Sequence, residues 1–226
     1  MAAGGWLVVA GLAALGDWLC AWRGWRRGLW LFKPLTIIGL LAWGWAAGGY
    51  AGGMIWFGLA LVFSLVGDIF LMLSAGFFMA GVGAFWLAHL AYIVGLNQGA
   101  LAWRWLPAAM IVVFLVSFGL LLRWGVPQLA GSRLSRRLQK ALLAYALFLG
   151  AMVVSALFTG LRPSWSLPAT TLVSLGALLF FASDGLLAYD RFISKLPRGQ
   201  FMVHVLYHCG QACLLAGGMI GLGTGL

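Results

Sequence analysis

Acids are the scarcest residues in this chain, which makes each one readable. The 226-residue sequence has no Glu and only four Asp, at positions 17, 68, 184 and 190. Asp68, in Ser64-Leu65-Val66-Gly67-Asp68, and Asp184, in Ala182-Ser183-Asp184-Gly185, sit inside long apolar runs. A charge held in hydrocarbon is costly, so such a position marks either function or a committed partner. At matched depth on two helices, two carboxyls can face one cavity. Close carboxyls do not both ionise easily, so one can keep a proton while the other stays ionised. That supplies an acid and a base at neutral pH. The alternative is that each carboxylate only pairs with Lys33 or an Arg, or bonds one helix to another.

Other polar residues fall near the same depth. Asp17 lies close to Arg23, Arg26 and Arg27 in sequence, which points to a salt bridge. Asp190, beside Arg191, reads as a solvated acid. Lys33-Pro34 reads as the opening of a helix, with Lys33 either snorkelling to the headgroups or gripping a lipid phosphate. His204, His208 and Gln211 follow the i, i+4, i+7 spacing of one helical face, and Tyr207 borders it. Phe85, His89 and Tyr92 share a face on another run. His204-x-x-x-His208 is also a possible zinc pair, given a carboxylate from elsewhere. No third ligand is fixed by the sequence, so neither a metal nor a cofactor is assigned.

The elements that must position these groups are membrane spans. Hydrophobic residues make up 64% of the chain and charged ones 8%, against about 25% charged in a soluble domain. A span needs about 20 apolar residues. Apolar runs divide the chain into eight, at approximately 4–22, 29–47, 54–73, 77–96, 105–123, 139–160, 167–189 and 200–222. The expected fold is therefore an all-α bundle of eight transmembrane helices forming a single domain over 1–226, with no room for a large domain outside the bilayer. Met1 to Gly5 lack the positive segment of a secretory signal, so the first run reads as a span. Trp22, Trp25, Trp30, Trp103 and Trp105 crowd the span ends, as an interfacial belt would.

The net charge of +10 could suggest nucleic acid as a partner. Placement argues for membrane lipids instead, because the basic residues lie in short loops between apolar runs. Arg23, Arg26, Arg27, Lys33, Arg123, Arg133, Arg136, Arg137, Lys140, Arg191, Lys195 and Arg198 fall on one side, leaving Arg104 and Arg162 on the other. The positive-inside rule then places both termini outside the cytoplasm of a bacterial inner membrane. Cys20, Cys209 and Cys213 read as small buried residues. Oligomeric state is not legible.

The order of these polar residues resembles the YhhN-like lysoplasmalogenase family. The matching pieces are Lys33-Pro34, Gly67-Asp68, Gly81-x3-Phe85-x3-His89-x2-Tyr92, Ser183-Asp184-x2-Leu187-Ala188 and Tyr207-x3-Gln211. Each piece is short, but five in order cover nearly the whole chain. His204 and His208 are not part of that pattern. The resemblance implies a hydrolase that acts on lysoplasmalogens, which are lysophospholipids with a vinyl-ether chain. The products would be a fatty aldehyde and a glycerophospho-base. It implies Asp68 and Asp184 as the catalytic pair, with no cofactor. Lys33, Ser64, His89, Tyr92, Ser183, His204, Tyr207, His208 and Gln211 are expected to bind the lysophospholipid substrate around them. Two other readings stand beside it. One is a zinc-dependent lipid amide or ester hydrolase on the histidines. The other is a lipid or small-molecule transporter with the polar face as its pathway.

Overall fold

The computed structural model describes residues 2–131 and 134–223. Eight α-helices account for nearly all of them: α1 (Ala3–Arg23), α2 (Arg26–Ala46), α3 (Met54–Met72), α4 (Phe78–Leu96), α5 (Trp105–Ala130), α6 (Arg136–Phe158), α7 (Leu167–Phe192) and α8 (Gly199–Gly221). Each is long and apolar enough to cross a membrane. The chain is an all-α integral membrane protein, as composition and run length require. A bilayer permits this because a helix satisfies its own backbone.

Local chemistry sets the helix ends. Gly24 takes a left-handed φ of 69° and lets the Trp25 amide return to the Cys20 carbonyl at 2.8 Å, which stops α1. Ser135 and Ser166 cap α6 and α7 through their hydroxyls, accepting from the Leu138 and Ala169 amides. Pro168 follows in the first turn of α7, where a missing N–H costs nothing.

Two boundaries differ from expectation. Helix α2 begins at Arg26, so Lys33-Pro34 lies two turns inside it rather than at its opening. The αL cap at Gly24 turns the chain so tightly that the next helix starts at once. Helix α5 runs on to Ala130, past Arg123 and through Pro127. Arg123 is therefore not at a helix end, and its side chain is exposed. Arg133, one of the basic residues used for orientation, lies outside the described residues.

The closest helix pairs are α1 with α2, α3 with α4 and α7 with α8. Small residues make this possible, because in lipid the attraction between helices is mainly packing. A Cβ on Gly176 of α7 would sit 2.7 Å from the Leu214 amide nitrogen of α8, and one on Gly210 would sit 2.9 Å from the Gly176 oxygen. Helix α8 is the most enclosed of the eight and also meets α1, α2 and α3. Helix α5 is the least enclosed and leans mainly on α6. The polar face of α8 is thus at the centre of the bundle, and α5 is an outer wall.

Candidate active site

Asp68 and Asp184 line one cavity of about 340 Å³. Its wall is otherwise almost wholly apolar. Leu71 of α3, Phe78 and Phe85 of α4, Phe118 and Leu121 of α5, Leu149 of α6, Phe181 and Leu187 of α7 and Val203 of α8 contribute to it. Lys33, Tyr145, Ser183, Tyr189, Arg191 and Tyr207 complete the polar part. The two carboxyls come from different helices, and each is held by its own partners.

Asp68 is fully buried and paired. Its Oδ1 lies 2.8 Å from Lys33 Nζ. Its Oδ2 accepts from the Tyr207 hydroxyl at 2.8 Å. The Lys33 ammonium also stands 5.3 Å from the centre of the Tyr207 ring, within cation–π range. Lys33 is itself buried, and it borders the cavity. It lies two turns inside α2, where Asp68 is its partner.

Asp184 has different company. Its Oδ2 accepts a hydrogen bond from the Tyr145 hydroxyl. Tyr145 in turn lies 3.1 Å from His89 Nε2. A phenol has one proton, and here the carboxylate takes it. The imidazole must then be the donor to the phenol oxygen, which assigns the Nε2–H tautomer to His89. The direct His89–Asp184 separation is 3.6 Å, too long for a hydrogen bond. The order His89, Tyr145, Asp184 is therefore a relay of two hydrogen bonds, with Asp184 facing the cavity.

Tyr145 was not among the residues singled out from the sequence. It sits in Leu142-Leu143-Ala144-Tyr145-Ala146. The available signal was its position: Leu142, Tyr145, Ala146 and Leu149 share one α6 face and all line the cavity.

The remaining expected residues divide. Ser183 lines the cavity and donates to the Val203 carbonyl at 3.0 Å, joining α7 to α8. Tyr92, Gln211 and Ser64 are buried behind the wall and bonded to one another. Tyr92 donates to Gln211 Oε1 at 2.5 Å, and Gln211 Nε2 donates to Ser64 Oγ at 2.9 Å. That closed network fixes α4, α8 and α3 around the wall that holds Tyr207 and Asp68.

His204 and His208 turn the other way, toward α1. His204 Nδ1 is 2.6 Å from Asp17 Oδ2. The indole of Trp18 donates to His208 Nδ1 at 3.2 Å. Asp17 is fully buried and pairs with this histidine rather than with Arg23, Arg26 or Arg27. Asp190 is bonded as well, to Lys195 Nζ at 2.9 Å and the Leu196 amide at 2.8 Å, so it pins the turn after α7. Among the described residues no group of three or more metal-binding side chains converges.

A second cavity, of about 380 Å³, adjoins the first. Lys33, Leu71, Leu187, Arg191 and Val203 belong to both. Its remaining lining mixes the apolar Leu29, Trp30, Met72 and Leu73 with the polar Arg26, Asp190, Lys195, Gln200 and His204.

Comparison with known proteins gives this site a context. Residues 28–218 match the sequence model of the YhhN family. Lysoplasmalogenase TMEM86B of Sus scrofa is 33% identical over 172 residues, covering 75% of this chain and 64% of that protein. Lysoplasmalogenase TMEM86B of Mus musculus is 29% identical over 194 residues, 84% of this chain and 74% of that protein. A lysoplasmalogenase of Mycobacterium tuberculosis is 34% identical over 143 residues, 61% of this chain and 50% of that protein. The chain thus spans between half and about three-quarters of the length of these relatives. No solved structure matches it.

Proposed function

We propose that this chain, which belongs to the YhhN family, is a membrane-embedded lysoplasmalogenase that hydrolyses the vinyl-ether bond of lysoplasmalogens. The observation that carries the reading is the pair of carboxyls, Asp68 and Asp184, set in one otherwise apolar cavity in the bundle. The names of its relatives supply the substrate class. The substrate is a lysophospholipid taken from the surrounding lipid, and the whole chain acts as one transmembrane domain.

A vinyl ether is electron-rich at the carbon β to oxygen, and its hydrolysis begins with protonation there. Asp68 already balances an ammonium, so it serves as the carboxylate. Asp184 has no lysine or arginine partner, only a phenol backed by an imidazole, and it serves as the acid. Its proton goes to the β-carbon and leaves an oxocarbenium ion, which the Asp68 carboxylate stabilises through space. Water adds to the cationic carbon and gives its proton to Asp68. The hemiacetal then collapses: its hydroxyl proton returns to Asp184, and Asp68 protonates the departing glycerol oxygen. Aldehyde and glycerophospho-base leave, and both carboxyls are back in their starting states. No metal or cofactor takes part in this scheme.

Orientation follows from charge. The Arg26, Arg191 and Lys195 end of the bundle faces the cytoplasm by the positive-inside rule, and both termini lie on the opposite side. The membrane is the inner one of a bacterium.

The test is lipid mass spectrometry after incubating the purified protein with mixed lysophospholipids, acyl and vinyl-ether. The expected result is loss of the vinyl-ether species alone, with stoichiometric aldehyde. Asp68→Asn and Asp184→Asn should each stop it. Consumption of acyl species, or lipid movement without product, would refute the assignment.

A further inference from the structure

We propose that the second cavity is the headgroup subsite, in which Arg26 and Arg191, with Lys195 beside them, bind the phosphodiester of the lysophospholipid. The inference rests on the reading of the first cavity as the reaction site, and extends it to what selects the substrate.

The two cavities are contiguous, and the second carries more of the basic residues. The first is mostly apolar apart from its catalytic end and the Arg191 border that it shares with the second. The second is bordered by Arg26, Lys33, Arg191 and Lys195 against a single acid, Asp190. An amphiphile with a long chain and an anionic head matches that division, chain in one and head in the other. The shared border carries Lys33, which is 2.8 Å from Asp68. In a lysoplasmalogen only the glycerol backbone separates the ether oxygen from the phosphate. A phosphate beyond Lys33 therefore leaves the vinyl ether on the Asp68 side of it.

The charges decide which groups grip the phosphate. Lys33 is committed to Asp68. Lys195 is committed to Asp190, though its side chain is 81% exposed, and such exposed pairs exchange readily. Among the described residues neither Arg26 nor Arg191 pairs with a carboxylate. Arg191 stacks over Phe78, its guanidinium carbon 4.1 Å from the ring centre. Stacking uses the face of a guanidinium and leaves its edge N–H groups for an anion. Arginine presents those donors in a planar fork that suits phosphate oxygens. Lys33 was the residue expected to meet phosphate. Its capture by Asp68 moves that task to the two arginines at the mouth.

The experiment compares two substrates with the same alkenyl chain, one a 1-alkenyl lysophosphoethanolamine and the other a 1-alkenylglycerol without phosphate. The wild-type protein should favour the phosphate-bearing one, and the ratio of the two kcat/KM values measures the preference. In the Arg26→Gln/Arg191→Gln variant that ratio should fall at least tenfold, mostly through KM, as expected for lost hydrogen bonds to a charged group. The Arg26→Lys/Arg191→Lys variant should recover part of it, and Arg104→Gln, far from both cavities, should leave it unchanged. An unaltered ratio in the Gln variant, or no preference in the wild type, would overturn the proposal. Binding of a saturated 1-alkyl lysophospholipid, which cannot be cleaved, separates this failure from failure of the reaction itself. It should bind the wild type about tenfold more tightly than the Gln variant even if no vinyl ether is hydrolysed, and equal affinities overturn the subsite. Inorganic phosphate should not displace it, because the chain supplies the anchoring; displacement by phosphate alone would make the site one for the free anion and overturn the lipid assignment.

Discussion

The Lys33–Asp68 pair permits a test that separates a catalytic carboxylate from a mere counter-ion. Lys33 Nζ and Asp68 Oδ1 are 2.8 Å apart, with side-chain exposures of 11% and 0%. Lys33→Met leaves a fully buried carboxylate with only the Tyr207 hydroxyl to satisfy it. Breaking a buried ion pair from one side costs about 3–5 kcal/mol. Asp68→Asn should cost less, because Lys33 borders both cavities and its ammonium can turn toward the polar one. The double variant Lys33→Met/Asp68→Asn has no uncompensated charge, and Asn keeps an oxygen for Tyr207. Removing both partners of a buried pair is often close to neutral, so it should lie within ~1 kcal/mol of wild type. Stability is read from denaturant unfolding in lipid nanodiscs, and function from aldehyde release by the same samples. Stability should recover in the double variant. Activity should not, because losing a general acid–base group costs about 10²–10⁴-fold. If the double variant recovers both, Asp68 is there only for Lys33 and the catalytic assignment fails. If Lys33→Met is as stable as wild type, the ion pair itself carries no weight.

Tyr145→Phe keeps the ring and removes the hydroxyl that joins His89 to Asp184. At about 1.5–3 kcal/mol for a bond to a charged group, kcat should fall roughly 10- to 100-fold, while KM stays near wild type and the buried His89 N–H left without its acceptor costs about 1–3 kcal/mol of stability. Asp17→Ala strips the buried His204 Nδ1 of its acceptor. It should destabilise the bundle by about 1–3 kcal/mol, and an unchanged unfolding midpoint would show that His204 finds another partner. Arg162 donates to the Gly99 carbonyl and, at 2.9 Å, to Asn97 Oδ1. Arg162→Ala should therefore increase proteolysis of the 97–104 connection without altering kcat on the far side of the bundle. Incubation with 1,10-phenanthroline should leave turnover intact. Loss of activity that zinc restores would move the chemistry to His204 and His208.

The spans were legible because their causes are local. Apolar runs of the right length, a glycine that turns left-handed after α1 and a serine that caps α7 can all be read off neighbouring residues. The depth of Lys33 could not be read that way. Lys33-Pro34 fits a helix start, where proline's missing N–H is free, and nothing nearby says that the chain is already helical at Arg26. The ring of Pro34 is accommodated two turns in, and the Thr36 hydroxyl takes the Phe32 carbonyl at 2.9 Å. Helix α2 starts three residues before the expected span, so seven helical residues precede Lys33 where it meets Asp68.

The same distinction explains the site. Scarcity identified Asp68 and Asp184, because a lone carboxyl in an apolar run is visible without a fold. Lys33 was a candidate partner from the sequence, but which groups hold each acid is visible only in three dimensions. Tyr145 and Tyr207 are ordinary aromatic residues in their helices, and His89 looked like a neighbour of Tyr92. The bundle instead puts His89 behind Tyr145 and bonds Tyr92 to Gln211. These partners make two identical side chains unlike. Asp68 has an ammonium and a phenol, so the protein has already balanced its negative charge. Asp184 has a phenol and beyond it an imidazole, with no lysine or arginine paired to it. A reaction that first spends a proton and then shelters a cation needs that asymmetry, and a symmetric dyad would not supply it. It follows that exchanging the partners should matter more than exchanging the acids: a cation introduced beside Asp184, as in Tyr145→Lys, should abolish turnover even though both aspartates remain. Retained turnover in a folded Tyr145→Lys protein would show that the proton does not come from Asp184.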